Sequence, residues 1–371
     1  MAIGVGLCAA STPASAAGLA LDEQTPGAML RHFTDSDKVS VRSWMGDYAL
    51  ALQSGVGLDV HWNNERVTIP AIDAAAGTQE AIDAITTASR PISGNAFQDY
   101  VKVRNEFQGA VSRGGAAVDY YHSSESDYLA QQLTGRYARD FMNQQLNFSL
   151  GTSYGWDAIE PLDDDDTSTG ADRKTTMHVN AVATRVVTST TLVRFGVEYN
   201  VVDGLQHNPY RNVYAGGTNV PERHPDHRER RDAFVKLSQY LQNRSSVKLT
   251  YRYYTDDWGI GSHEVGSRLN QYITRGVLAG YQYRWYSQNH ADFYRDEYTT
   301  SGGIDGYRSG DYRMADLSSH LFGFTLNVDL DALAVQQPLL GHMGVWLNYE
   351  RYFNSNNYSA NILETGLEFR F

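Results

Sequence analysis

Thiols are almost absent: one of the 371 residues is cysteine. That residue, Cys8, lies in an apolar leader, so the mature chain is expected to carry none. Disulfides, thiolate-ligated zinc and thiol catalysis are thereby excluded together. Lipid anchoring is excluded as well, because Leu7 stands where an acylated cysteine needs a small residue before it. Long apolar runs are missing too. No stretch approaches the ~18 residues of a membrane-spanning helix, and mean hydropathy is −0.45. Basic excess is also lacking: the net charge is −12, which excludes the phosphate-binding surface that nucleic acid requires.

Aromatic residues and glycine are plentiful, with 25 Tyr, 13 Phe, 6 Trp and 33 Gly against 9 Pro. Aromatic rings fit a pleated, half-buried surface and collect where lipid meets water. A soluble β-sandwich or propeller would give similar totals, so composition leaves the choice open.

The N-terminus reads as an address. Ala2 to Ala10 is an apolar run, and Ala14-Ser15-Ala16 is a small-residue cleavage pattern. A signal peptide is expected over residues 1–16, with cleavage before Ala17. No Lys or Arg precedes the run, which a start placed too far downstream would explain. Residues 17–37, with Leu21 to Phe33 at their centre, are expected to form a periplasmic segment or a small plug. A barrel is expected over residues 38–371.

Period-two alternation, sustained in strand-length segments from about Tyr48 onward, carries the fold class. Leu363, Thr365, Leu367, Phe369 and Phe371 share one face, and Glu364, Gly366, Glu368 and Arg370 the other. Phe195, Val197 and Tyr199 oppose Arg194, Gly196 and Glu198 in the same way. Leu50 to Trp62 reads as one such segment. Tyr128–Tyr137 and Met177–Val187 alternate poorly and are assigned by neighbourhood.

Connections separate barrel from sandwich. Short turns at Arg113-Gly114-Gly115, Asp140 to Asn143, Thr188-Ser189, Asn243 to Ser245, Thr274 to Gly276 and Ala334 to Gly341 interleave with longer loops. The longer ones span Asn63–Ala96, Asp157–Arg173, Asp203–Arg228 and Ser287–Arg313. Short periplasmic turns and long outer loops are the signature of an outer-membrane barrel, and a count of about 14 antiparallel strands fits. Phe371, closing the last strand, resembles the signal that barrel-assembly machinery reads. Ala71 to Ser89 is expected to be a short helix or disordered.

Three phrases are distinctive: Ser124-Glu125-Ser126-Asp127-Tyr128-Leu129, Tyr251 to Ile260, and Tyr283 to Tyr294. They resemble a bacterial outer-membrane family catalogued as a domain of unknown function, family thirty-five-seventy. The resemblance runs from about Asp37 to Phe371 and implies a barrel and its location, with no catalytic residues to transfer. It also implies a neighbourhood of flavin-transfer and thioredoxin-like export genes, hence redox or metal traffic. The first loop lacks the His and Ser run of relatives, which weakens a metal role there.

Several groups could carry chemistry. The inward face is expected to hold Lys102, Arg104, Glu106, Arg194, Glu198, Lys248, Arg252, Arg268, Arg284, Glu350, Glu364 and Glu368. These are read either as a constriction that sorts solutes by sign or as a salt-bridged, hydrated lining. His207, His224, Asp226 and His227 offer divalent-metal ligands. Their spacing does not set them on one face of a regular element, and Arg223, Arg228, Arg230 and Arg231 repel a cation, so a solvated loop is the other reading. Asp256, Asp257, His263 and Glu264, with His290 and Asp292, could meet at the outer rim, where carboxylates and histidine can activate water. Trp258, Tyr253 and Tyr254 are read as an interfacial belt plus loop packing. The run Asp163 to Asp166 lacks the spacing of a calcium loop.

No cofactor is predicted beyond a divalent metal at the histidine set. The expected partners are outer-membrane lipid, the assembly machinery and a small-molecule or metal solute. The function expected is a channel or transporter for a small polar or metal-linked solute. A surface hydrolase and a non-conducting barrel that binds a partner protein are the alternatives.

Overall fold

The computed structural model describes residues 21–69, 100–163, 167–298, 306–330 and 343–369. Strands β1 to β9 are Leu21–Asp35, Ser40–Leu52, Val56–Ile69, Tyr100–Arg113, Ala116–Ser124, Tyr128–Phe141, Leu146–Ile159, Asp172–Thr188 and Thr191–Gly204. A small hairpin follows, β10 (Asn212–Ala215) and β11 (Thr218–Pro221). Strands β12 to β18 are His227–Leu241, Ser245–Asp256, Gly261–Tyr272, Val277–Gln288, Leu317–Asp329, Met343–Asn354 and Ser359–Phe369. All but β10 and β11 join neighbour to neighbour in one closed antiparallel barrel of 16 strands, which β1 completes by pairing with β18.

Two strands separate this from the expected count of about 14. The first is β1: Leu21–Asp35 is neither periplasmic nor a plug, but pairs with β18 from Gly27↔Glu368 to Asp35↔Ala360 and with β2 on its other edge. Pro26 has no ladder donor to give, and it lies just outside the β1–β18 register described. The second arises because Leu50 to Trp62 is a hairpin. Gly55, at φ 76°, turns the chain between β2 and β3. The weakly alternating segments, Tyr128–Tyr137 and Met177–Val187, both lie in full-length strands. The signal segment, the Ala71–Ser89 helix, the Ala334–Gly341 turn, Asp164 to Asp166 and Phe371 lie outside the described residues.

Alternation makes the wall amphipathic. Trp62, Phe107, Val111, Leu133, Leu150, Phe195, Leu249 and Leu347 stand exposed on the outside. Tyr137, Phe141, Phe148, Tyr240 and Tyr272 ring the end with short turns; Tyr199, Tyr251, Tyr253 and Phe353 ring the other. An apolar surface of this extent would drive a soluble protein to aggregate. A closed barrel of alternating strands between two aromatic girdles is built for the outer membrane, and the chain is a protein of that membrane.

The tight turns demand particular backbone. Gly114 and Gly115 between β4 and β5 have φ of 59° and 88°, and a Cβ on Gly115 would stand 2.3 Å from the Ala138 carbonyl oxygen. Packed apolar cores gather at the long-loop end. Trp258, Ile260, Ala291 and Phe293 form one, backed by Tyr254, Tyr294, Tyr307 and Met314; Val213, Ala215 and Tyr298 form another, backed by Val220. The β9–β12 and β15–β16 loops are stitched by bridges Ala215↔Tyr298 and Arg223↔Arg308. Together with the β13–β14 loop they make a cap.

Candidate functional site: a capped, charged lumen

Inward positions follow from register, because paired residues share a face. By register the twelve expected charges share the face opposite the exposed apolar residues, on β4, β9, β13, β14, β15, β17 and β18. Their partners differ. Arg104 meets Glu65 at 3.0 Å and Glu106 at 3.3 Å. Glu106 also accepts from Tyr121 and Asn63. Arg252 meets Asp232 at 2.6 Å and Glu198 at 3.4 Å, and Arg284 meets Glu264 at 3.7 Å. Glu350 accepts from Gln282, and Glu364 from Asn348 and Arg31. Arg268 is held by neutral acceptors, Asn270 and Thr325. Among the described residues Arg194, Lys236 and Lys248 make no ion pair. Phe234 narrows the lumen beside them: it lies on Gly196, where a Cβ would stand 2.3 Å from its ring.

The cap is locked by a polar knot that sequence reading did not find. The fully buried Glu222 accepts from Asn208 N (3.1 Å), Ser309 Oγ (2.7 Å) and Gly310 N (3.1 Å), with His224 Nε2 at 3.2 Å. Arg211 reaches Asp311 at 3.0 Å and Glu222 at 3.7 Å, and Asp311 also pairs with Arg313. Burial would raise the Glu222 pKa, but hydrogen bonding to His224 and the charges of His224 and Arg211 hold it below the usual value. Burial likewise opposes ionisation of Asp311, and Arg313 and Arg211 outweigh it.

The histidine set does not assemble. His224 is packed between Trp258 (5.3 Å) and Phe293 (5.4 Å) in the cap core, with the His207 ring 6.1 Å away. Burial and the neighbouring His224 push the His207 pKa down. His227 faces outward to Asp203 at 2.7 Å, and the Asp226 carbonyl is spent on Gly204 N. Among the described residues no group of three His, Cys, Asp or Glu is placed to hold a metal ion.

The rim set is dispersed as well. Asp256 binds Arg228 at 2.5 Å, accepts from Tyr254, and caps the Trp258 and Ile260 amides. Asp257 accepts from Glu229 N, and His263 lies outside against Tyr251. Glu264 faces inward to Arg284, His290 pairs with Asp316, and Asp292 packs on Gly259. Tyr253 is exposed in the outer girdle, and Trp258, at 4% exposure, is cap core and donates to the His227 carbonyl, so loop packing rather than the belt is its place. Tyr254 also turns inward.

Beneath the cap lies a chamber of about 430 Å³. Lys102 is buried in its wall between Glu125 (2.6 Å) and Asp127 (2.9 Å), and Tyr210 from the cap donates to Asp127 at 2.5 Å. Lys174 meets Asp157 at 2.9 Å and Tyr128 Oη at 2.5 Å; Tyr128 also binds Asp157. Arg228 stacks on Trp258 at 4.1 Å. Four of the lining residues, Glu125, Asp127, Tyr128 and Trp258, come from two of the distinctive phrases. The phrases were the sequence signal for the chamber, although nothing in them says which strands meet.

Likenesses to solved structures are remote. A loop-deletion mutant of OmpT, an outer membrane protein of Vibrio cholerae, shares 9% identity over 95% of this chain and 99% of its own, at a TM-score of 0.46. The outer membrane protein OprD from Pseudomonas aeruginosa shares 12% over 96% of both chains at 0.46, and opdK from the same organism 10% over 94% and 98% at 0.45. Likeness at this level carries no function across. No curated protein matches the sequence. Residues 101–339 match the family model described as protein of unknown function (DUF3570). That span is well over half of the 371 residues, and the chain belongs to this family.

Proposed function

We propose that this barrel is a channel for small polar solutes, sorted by charge as they cross the lumen. Sixteen strands are enough to leave an aqueous path rather than a lumen filled by side chains. The observation that carries the reading is the separation of charge around the ring. Strands β12 to β15 present Lys236, Lys248, Arg252, Arg268 and Arg284 inward against only Asp232 and Glu264 at the same level, a net positive wall. Half-way round the sixteen-strand ring, β2 to β5 present Asp47, Glu65, Glu106 and Asp119 against Lys102 and Arg104, a net negative wall. Opposed walls of opposite sign make a transverse field that orients a dipolar solute and discriminates by charge.

The metal-linked solute among the expectations draws no support from the scattered histidine set. A surface hydrolase draws none from rim carboxylates already committed to Arg228 and backbone amides. Planar-bilayer recordings test the channel reading. Stepwise conductance is expected, and Lys248→Glu with Arg268→Glu is expected to move the reversal potential in a KCl gradient toward cation preference. A silent membrane with folded protein inserted refutes it.

A further inference from the structure

The cations around the outer chamber are not equivalent. Lys102, Lys174, Arg228 and Arg104 each have a carboxylate at ion-pair distance. Arg230, from β12, lines the same chamber and has none among the described residues, and its buried Nε finds no acceptor there. His207 Nδ1, on the cap side, is also buried without a partner. A guanidinium removed from water with no carboxylate at ion-pair distance is costly, and a ligand carboxylate would supply the missing counter-charge. Ile159, Val202, Leu205, Pro209 and Trp258 supply the apolar part of the lining.

We propose that the chamber is a binding site for a small organic monoanion, a carboxylate on a flat apolar body. The carboxylate takes the free edge of the Arg230 guanidinium, whose planar fork suits two carboxylate oxygens. His207, neutral at pH 7 because burial opposes its protonation, adds one hydrogen bond without adding charge. The apolar body rests against Trp258, Ile159 and Val202. A single unpaired guanidinium matches one negative charge, so dianions and neutral amides are the poorer ligands. The volume of about 430 Å³ is that of a small-molecule pocket. As a solute's first station in the lumen, the site rests on the channel reading. Its occupancy does not, since binding is read in detergent without any conduction.

The test is calorimetry on the folded, detergent-solubilised chain with benzoate as probe, and benzamide and benzylamine as neutral and cationic counterparts. Saturable one-to-one benzoate binding is expected, with neither counterpart competing. Arg230→Gln is expected to weaken it at least about tenfold, the scale of a lost charge-assisted pair. Arg230→Lys, which keeps the charge but not the fork, is expected to fall between. Arg275→Gln, in an exposed turn at the opposite end, is expected to bind as the parent does and controls for net charge. Retained heat-shifted mobility on unboiled gels certifies that each variant is folded. Equal binding of benzoate and benzamide, no benzoate binding at all, or undiminished binding in folded Arg230→Gln overturns the proposal. Benzoate binding with silent bilayers would sink the channel alone; conductance without benzoate binding would sink the site alone.

Discussion

Replacing Glu222 with alanine isolates what the cap knot contributes. Its carboxylate serves the Asn208 and Gly310 amides, the Ser309 hydroxyl and the His224 ring, all inside the cap and away from the barrel ladder. Truncation leaves those donors unsatisfied, and each costs about 1–3 kcal/mol when buried. Arg211 keeps Asp311, so its charge is not stranded. The loss therefore falls short of the simple sum and near the range of about 3–5 kcal/mol seen when one partner of a buried pair is removed. At about 1.4 kcal/mol per factor of ten, exchange of the Asn208 and Gly310 amides is expected to quicken by roughly two to three and a half decades. The β6 to β9 ladder amides are expected to keep their protection, since none relies on Glu222. Hydrogen exchange followed by mass spectrometry reads both regions at once. Less than a tenfold change in the cap, or an equal loss in the wall, would refute the idea that this carboxylate locks a separable cap.

Acid should loosen the same cap. Glu222, Asp311 and His207 all have pKa values held below their ordinary ones, so the folded cap binds fewer protons than the opened one and loses stability as pH falls. Cap exchange, corrected for intrinsic chemistry, should rise from about pH 6.5 downward through His207 and again below about 4.5 through the two carboxylates, with His207→Gln removing the upper step. Gly115→Ala puts a Cβ against the Ala138 carbonyl at positive φ, and should lower the unfolding midpoint in urea by an amount equivalent to about 1–3 kcal/mol. Deleting Phe371 should slow delivery to the outer membrane, seen as precursor accumulating in the periplasm; unchanged assembly kinetics would remove it as a signal.

The wall was legible because its cause is local. A side chain every second residue either meets lipid or meets water, so the run from Leu363 to Phe369 declares its two faces without reference to any other strand. The charges expected on the wet face come with the same alternation and share, by register, the side opposite the exposed apolar residues. The chamber was illegible for the opposite reason. Arg230 reads as one of four arginines in a polar loop, and its lack of an ion pair among the described residues is a property of β9, β12 and the cap together. The histidines misled in the same way: proximity in sequence put His224 and His227 together, while the start of β12 sends one inward to Glu222 and the other outward to Asp203.

The first strand shows where local reasoning stops being enough. Leu21–Asp35 sets Gly27, Met29 and Arg31 inward and Ala28, Leu30 and His32 outward, a contrast too weak to read alone. What makes it a strand is the unpaired edge that β18 would otherwise present. An open edge inside a bilayer leaves a row of backbone groups without partners, each costing several kcal/mol. Closure is therefore demanded by the other strands, not by residues 21–35 themselves. Removing that segment should consequently disrupt the whole barrel, and not merely unplug a channel that was complete without it.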